Sequence, residues 1–167
     1  MGEQTRKNLF EAFVGEAKAH IRLQAFAERA EKDGFPQVAK LFRAISEAER
    51  VHALNHLRLL GEAAIRSTEE NLAYSFNQER TVNSVYYPQF IKVAEEEGER
   101  AAALSFTHAM DVEAVHGELY EKAMRKLLRD EVGDYYVCQV CGYVADNILP
   151  DRCPICGARR EMFKKVT

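Results

Sequence analysis

Glu49-Arg50-Val51-His52 and Glu113-Ala114-Val115-His116 are the two stretches on which the reading of this chain turns. Each sets a glutamate three residues before a histidine, a spacing that brings both side chains to one face of an α-helix, about one turn apart. The stretches lie 64 residues apart, and the repeat extends outward from them. Gly34 and Phe42 recur as Gly98 and Phe106 at the same offset, whereas Glu16 recurs as Glu79 one residue short, at 63. The body therefore reads as two related helix pairs around a pseudo-two-fold axis. A local helix bulge near Pro88 is the expected home of the slipped residue.

Working outward, four long amphipathic segments fill the body. The first runs from about Thr5 to Asp33 and stops at Gly34, and the second opens at Pro36 and stops at Gly61. Glycine past a last turn and proline in a first turn are stop and start signals. The third opens at Ser67, which pairs with Glu70 as a capping box, and reaches about Glu97 with Pro88 as an expected kink. The fourth follows Gly98 and ends near Asp130. Helices of this length joined by short loops suit an up-and-down four-helix bundle, so the expected fold class is all-α.

Apolar stripes recur at alternating steps of three and four. Leu9, Phe13 and Leu23 share a face with Glu16 and His20 in the first helix. In the second, Leu41 and Ile45 lead to Glu49, His52 and His56; in the third, Leu72 and Phe76 lead to Glu79; in the fourth, Phe106 leads to Glu113 and His116. A glutamate thus interrupts the buried stripe near the middle of every helix. Burying one unpaired carboxylate costs several kcal/mol, a large part of a domain's net stability of about 5–15 kcal/mol. Something cationic is expected between the four. Two glutamates plus two Glu-x-x-His motifs are the ligand set of carboxylate sites that hold two irons or two manganese ions. Carboxylates bridge hard cations, and imidazole suits iron without forcing a geometry. A lone Glu-x-x-His is usually a solvated pair; two in register with two further core glutamates are not. His20, His56 and His108 read as polar residues at the stripe's edge, with His20, one turn beyond Glu16, a candidate to hold a ligand in place. Glu95-Glu96-Glu97 reads as a solvated helix end.

All four cysteines fall in the last 30 residues, as Cys138-Gln139-Val140-Cys141-Gly142 and Cys153-Pro154-Ile155-Cys156-Gly157. Two Cys-x-x-Cys pairs in a reducing compartment read as a metal site before they read as disulfides. The glycine after each pair suits a tight turn that aims backbone N–H groups at sulfur. Tetrahedral sulfur sites hold zinc or iron, so a structural zinc ribbon stays open; Tyr135, Tyr136 and Tyr143 tilt the reading to iron. So short a tail has too little core to fold without its metal. Two domains are expected, 1–132 helical and 133–167 metal-bound.

The chain has 167 residues, 47% of them hydrophobic, with only 4 Pro and 9 Gly, which favours long uninterrupted elements over a strand-rich chain. A net charge of -3 with interspersed signs offers no stripe for nucleic acid. No apolar run approaches the roughly 18 residues of a membrane span, and Met1-Gly2-Glu3-Gln4 does not open like a signal peptide. The expected location is the cytoplasm.

These motifs, in this order, resemble the rubrerythrin family over essentially the whole chain: a ferritin-like di-iron domain followed by a rubredoxin-like domain with its Cys-x-x-Cys-Gly-Tyr and Cys-Pro-x-Cys-Gly knuckles. The resemblance implies an oxidoreductase, a peroxidase that protects against oxidative stress by reducing hydrogen peroxide to water at two irons. Electrons would arrive through a third iron held by Cys138, Cys141, Cys153 and Cys156, ultimately from an NAD(P)H-dependent reductase or rubredoxin. A homodimer is implied, often with one subunit's tail near the other's di-iron site. Carried over by motif, Glu49 and Glu113 bridge the irons, Glu16 and His52 serve one, Glu79 and His116 the other, and Tyr87 lies close by. The family's second glutamate on the third helix, which binds an iron in the oxidised state, is Val82 here, and its helix-one tyrosine is Leu23. Val82 keeps alive a second reading, a ferroxidase or iron-handling protein. A zinc-bound adaptor is a third. No nicotinamide or flavin fingerprint is present, so direct NADH oxidation is not expected.

Overall fold

Gly34 and Gly98 end two long helices in the same way, and the repeat is visible first in these caps. The computed structural model describes residues 1–126 and 133–166. Helix α1 spans Glu3–Lys32 and α2 spans Pro36–Leu59. Between them Gly34 takes φ 83°, a left-handed conformation that favours glycine. There the Phe35 N–H bonds Ala30 O at 2.8 Å and the Gly34 N–H bonds Glu31 O at 3.0 Å. This is a Schellman cap, which satisfies carbonyls the helix end leaves open. The cap recurs at Gly98, φ 77°, with Glu99 N–H on Ala94 O at 2.8 Å and Gly98 N–H on Glu95 O at 3.1 Å.

Helices α1 and α2, with a short 3-10 turn at Gly61–Ala63, belong to one unit, Met1–Ser67. Its seam is built from small residues: Ala27, Ala30 and Ala39 are buried, with Phe42 packed against them. Phe26 meets Phe42 edge-on at 5.7 Å. Higher up the pair, Ser46 is buried, and its hydroxyl donates to His20 O at 2.8 Å while His20 Nδ1 donates to Ser46 O at 2.9 Å.

The second unit, Thr68–Thr167, carries α3 (Thr68–Thr81), a π-helical turn (Val82–Tyr86), α4 (Tyr87–Glu96), α5 (Arg100–Lys126) and a small sheet. The expected fourth-helix end near Asp130 lies outside the described residues. The alanine seam returns as Ala94 and Ala103, and Phe90 meets Phe106 at 5.7 Å, the same separation as in the first pair. Asn83 takes the place of His20: its Nδ2 donates to Met110 O at 2.6 Å, the counterpart of Ser46 O.

The bulge expected near Pro88 is the π-helical turn, where Tyr87 N–H reaches back five residues to Val82 O. An extra residue inserted in a helix produces this wider turn. Before it, α3 matches α1 at an offset of 63 (Glu16 with Glu79, His20 with Asn83); after it, α4 matches at 64 (Phe26 with Phe90). Pro88 follows directly. A proline in a regular helix clashes with the carbonyl four residues back, and the wider turn gives its ring room.

One expectation is corrected. Leu41 and Ile45, placed on a buried stripe, are 57% and 40% exposed, and Phe90 and Val93 are also exposed. Two helices can bury only one seam between them, so the alanines are covered and the larger stripe residues are not. Among the described residues, no helix is long and apolar enough to cross a membrane.

In the tail, β1 (Tyr135–Cys138) lies between β2 (Val144–Asp146) and β3 (Phe163–Lys165), both antiparallel to it, with Tyr136 opposite Ala145 and Val137 opposite Lys164. The tail's core is Cys138, Ala145 and Cys153, with Tyr143 edge-on to Phe163.

Candidate metal centres

Each helix pair gathers three ligand residues, two glutamates and a histidine, within reach of one ion. Glu16, Glu49 and His52 offer ligand atoms within 4.8 Å of one another, and so do Glu79, Glu113 and His116. Both histidines turn Nδ1 towards the glutamate one turn earlier: His52 to Glu49 Oε2 at 3.1 Å, His116 to Glu113 Oε2 at 2.9 Å. The three-residue spacing does this in both pairs alike.

The carboxylates are held close enough to compete for protons. A hydrogen bond to Glu49 raises the Glu16 pKa, helped by burial and by Glu49's charge, while Glu49 is lowered by the same bond and by His52. Burial, then Glu113, pushes Glu79 up to about 7. Two oxygens that share one proton with an imidazole beside them form a donor set short of a cation, and oxygen with imidazole nitrogen suits iron. The residues fit the group. Tyr87 reports on the same field, because burial and then the Glu113 and Glu79 charges raise its pKa. A cleft of about 200 Å³ opens beside this triad, lined by Phe76, Glu79, Asn83 and Glu113.

The tail brings all four thiols together. Cys138 Sγ lies 3.8 Å from Cys156 Sγ, and Cys141 Sγ lies 3.5 Å from Cys153 Sγ. A tetrahedron with metal–sulfur bonds of about 2.3 Å has sulfur edges of about 3.8 Å, so the spacing fits a single ion. The two knuckles are near copies. Gly142 N–H bonds Cys138 O, and Gly157 N–H bonds Cys153 O, both at 2.9 Å, with φ 84° and 73° at the glycines. Burial opposes ionisation of Cys138, yet the N–H groups of Cys141 and Val140, together with the Cys156 and Cys141 thiols, lower its pKa. Burial instead raises Cys141 and Cys156, against N–H groups of Tyr143 and Ala158 that favour their thiolates.

Spacing does not reveal some of the groups that matter here. Ser46 reads as an ordinary helical serine, but it ties His20 to α2. The Gly142 carbonyl accepts from His116 Nε2 at 3.2 Å, a contact between a tail backbone atom and α5 that no side-chain pattern encodes. Lys122 on α5 pairs with Asp146 on β2. His56 carries a buried Nδ1 with no hydrogen-bond partner among the described residues.

A helical body with twin Glu/Glu-x-x-His triads and a four-cysteine knuckle domain define a ferritin-like di-iron carboxylate protein with a rubredoxin-like tail. The rubrerythrin family model matches residues 7–124, and the model of the rubrerythrin rubredoxin-like domain matches residues 136–164. Rubrerythrin-2 of Clostridium acetobutylicum is 30% identical, over 92% of this chain and 91% of its own. Nigerythrin of Nitratidesulfovibrio vulgaris is 33% identical, over 95% and 85%. The fully reduced, all-ferrous structure of nigerythrin superposes with a TM-score of 0.60 at 32% identity, covering 99% of this chain and 88% of that one. The chain belongs to the rubrerythrin family, a family of oxidoreductases. With the family come its cofactors, a carboxylate-bridged di-iron site and a rubredoxin-like four-cysteine iron site, for which this chain holds the ligand groups.

Proposed function

We propose that this protein reduces hydrogen peroxide to water, with Glu16, Glu49, His52, Glu79, Glu113 and His116 together holding two irons and the tail over 133–167 feeding the body over 1–132. The observation that carries the reading is the pair of matching triads, each a donor set short of a cation. The balance is one peroxide, two electrons and two protons to two waters, with the O–O bond broken. Two irons held by the triads would supply those electrons, and an iron held by Cys138, Cys141, Cys153 and Cys156 would supply their replacement. The chain's own groups do the rest. Glu49 and Glu113 would each help hold iron in their triads, and the cleft beside Glu79 and Glu113 admits a molecule as small as peroxide. Tyr87 keeps its phenolic proton, since its pKa is raised, and can donate a hydrogen bond at that oxygen. A homodimer in the cytoplasm, reduced by an NAD(P)H-dependent reductase or rubredoxin, completes the proposal.

The test is an anaerobic peroxide titration of the fully reduced, iron-loaded protein. The red iron–thiolate band should return in step with added peroxide, and Glu113→Ala should abolish the fast phase. Slow return, alike in both proteins, would favour Fe²⁺ oxidation and iron handling instead, the reading that Val82 supports. No red band would point to zinc in the tail.

A further inference from the structure

Among the described residues, two polar contacts join the tail to α5. His116 Nε2 lies 3.2 Å from Gly142 O, the carbonyl directly after the Cys141 ligand position. The Lys122 ammonium pairs with the Asp146 carboxylate, the lysine half-exposed and the aspartate side chain 16% exposed. Asn147 Nδ2 holds the other oxygen of Asp146 at 2.8 Å. Close to these contacts the apolar side chains do not close up: Leu72, Leu119, Tyr120, Tyr135 and Val144 line an open cleft of about 330 Å³ with His116. Where apolar packing is incomplete, the polar contacts set position.

We propose that Lys122 and Asp146 form a latch that docks the four-cysteine domain on α5 of its own chain, and that the docked Gly142 carbonyl orients His116. The inference rests on the proposed peroxidase reading for its purpose, though not for its geometry. A neutral imidazole that donates from Nε2 leaves Nδ1 as a bare lone pair, and that nitrogen faces Glu113. Metal-bound histidines are commonly fixed by such a bond from the other ring nitrogen. The pseudo-symmetric mate shows the contrast: the His52 side chain is 56% exposed and that of His116 only 23%. Lys122 is thus a positioning residue. It acts through the tail on a metal ligand.

Two measurements on the full chain test this. In zinc-loaded protein followed by NMR, the His116 Nε2 proton and the Tyr143 amide, which shares a peptide with the Gly142 carbonyl, report the contact without any turnover. Lys122→Glu should shift the Tyr143 amide and expose the His116 proton to exchange, and Lys122→Glu with Asp146→Lys should restore both. In iron-loaded protein, Lys122→Glu should slow peroxide-driven return of the red band about tenfold at low salt, because attraction becomes repulsion, with recovery in the double variant. The wild-type rate should fall towards the variant's at about 0.5 M salt. Unchanged NMR signals in Lys122→Glu, or no recovery on reversing both charges, would overturn the latch. Intact NMR responses with no fast red phase even in the wild type would support the latch and defeat the peroxidase reading.

Discussion

Val82 opens the π-helical turn one helical turn beyond Glu79, half-buried, where the family's further glutamate is expected. Asn83 does not replace that carboxylate, because its amide is spent on Met110 O. Four carboxylates balance the charge of two ferrous ions, and a fifth would favour their oxidised forms. Val82→Glu should therefore lower the di-iron reduction potential in a spectroelectrochemical titration; an unchanged or higher value would sink the charge argument. Glu79 offers a second test, on metal-free protein. Its folded-state pKa of about 7 lies above the ordinary carboxylate value of 4.5, so the folded state holds a proton that the unfolded chain releases. Stability from this group is complete below pH ~4.5 and is lost as pH rises towards ~7. Glu16, also raised, adds the same sign, and Glu49, lowered, opposes it. Urea midpoints in chelator should fall across that window, less steeply in Glu79→Gln. Adding Fe²⁺ should flatten the wild-type slope, since the ion takes the proton's place.

The π-helical turn is an insertion whose neighbours kept their contacts. Glu79 faces Glu113 as Glu16 faces Glu49, and Phe90 meets Phe106 as Phe26 meets Phe42. Only the residues between absorb the extra position. Deleting Val85 together with Pro88→Ala should leave an unbroken helix like α1, with thermal stability kept or raised. Deleting Val85 alone should cost about 3 kcal/mol, because the Pro88 ring then meets the carbonyl four residues back. Deleting Ala19 from α1, which has no turn to remove, should rotate Phe26 by about 100° relative to Glu16 and cost roughly 3 kcal/mol or more. Equal losses for the Val85/Pro88 variant and the Ala19 deletion would refute this account of the turn.

Across the whole chain, two kinds of stability stand side by side. The helices carry alanine seams and Schellman caps that owe nothing to a metal. The tail's buried core is little more than Cys138, Ala145 and Cys153. Removing its metal should abolish amide protection over residues 135–165 while the far-UV helical signal barely changes. Cooperative loss of both would show that the tail also supports the helices.

Much of this was legible beforehand, since the relevant signals are local and periodic. Glycine and proline marked the helix ends, the offsets of 63 and 64 foretold one inserted residue, and Cys-x-x-Cys-Gly marked both knuckles. Periodicity also grouped each glutamate with its histidine, because a three-residue step on a helix leaves no other arrangement. It overstated burial at Leu41 and Ile45, since a stripe shows which face is apolar but not how many neighbours cover it. Folding in three dimensions settled the rest. The meeting of Gly142 O with His116, the Lys122–Asp146 pair, and the matching roles of His20 and Asn83 depend on backbone atoms and on residues distant in the chain. Carbonyls are the same at every position, so a pattern of side chains can foretell that a ligand exists, while only the packed chain chooses which carbonyl holds it.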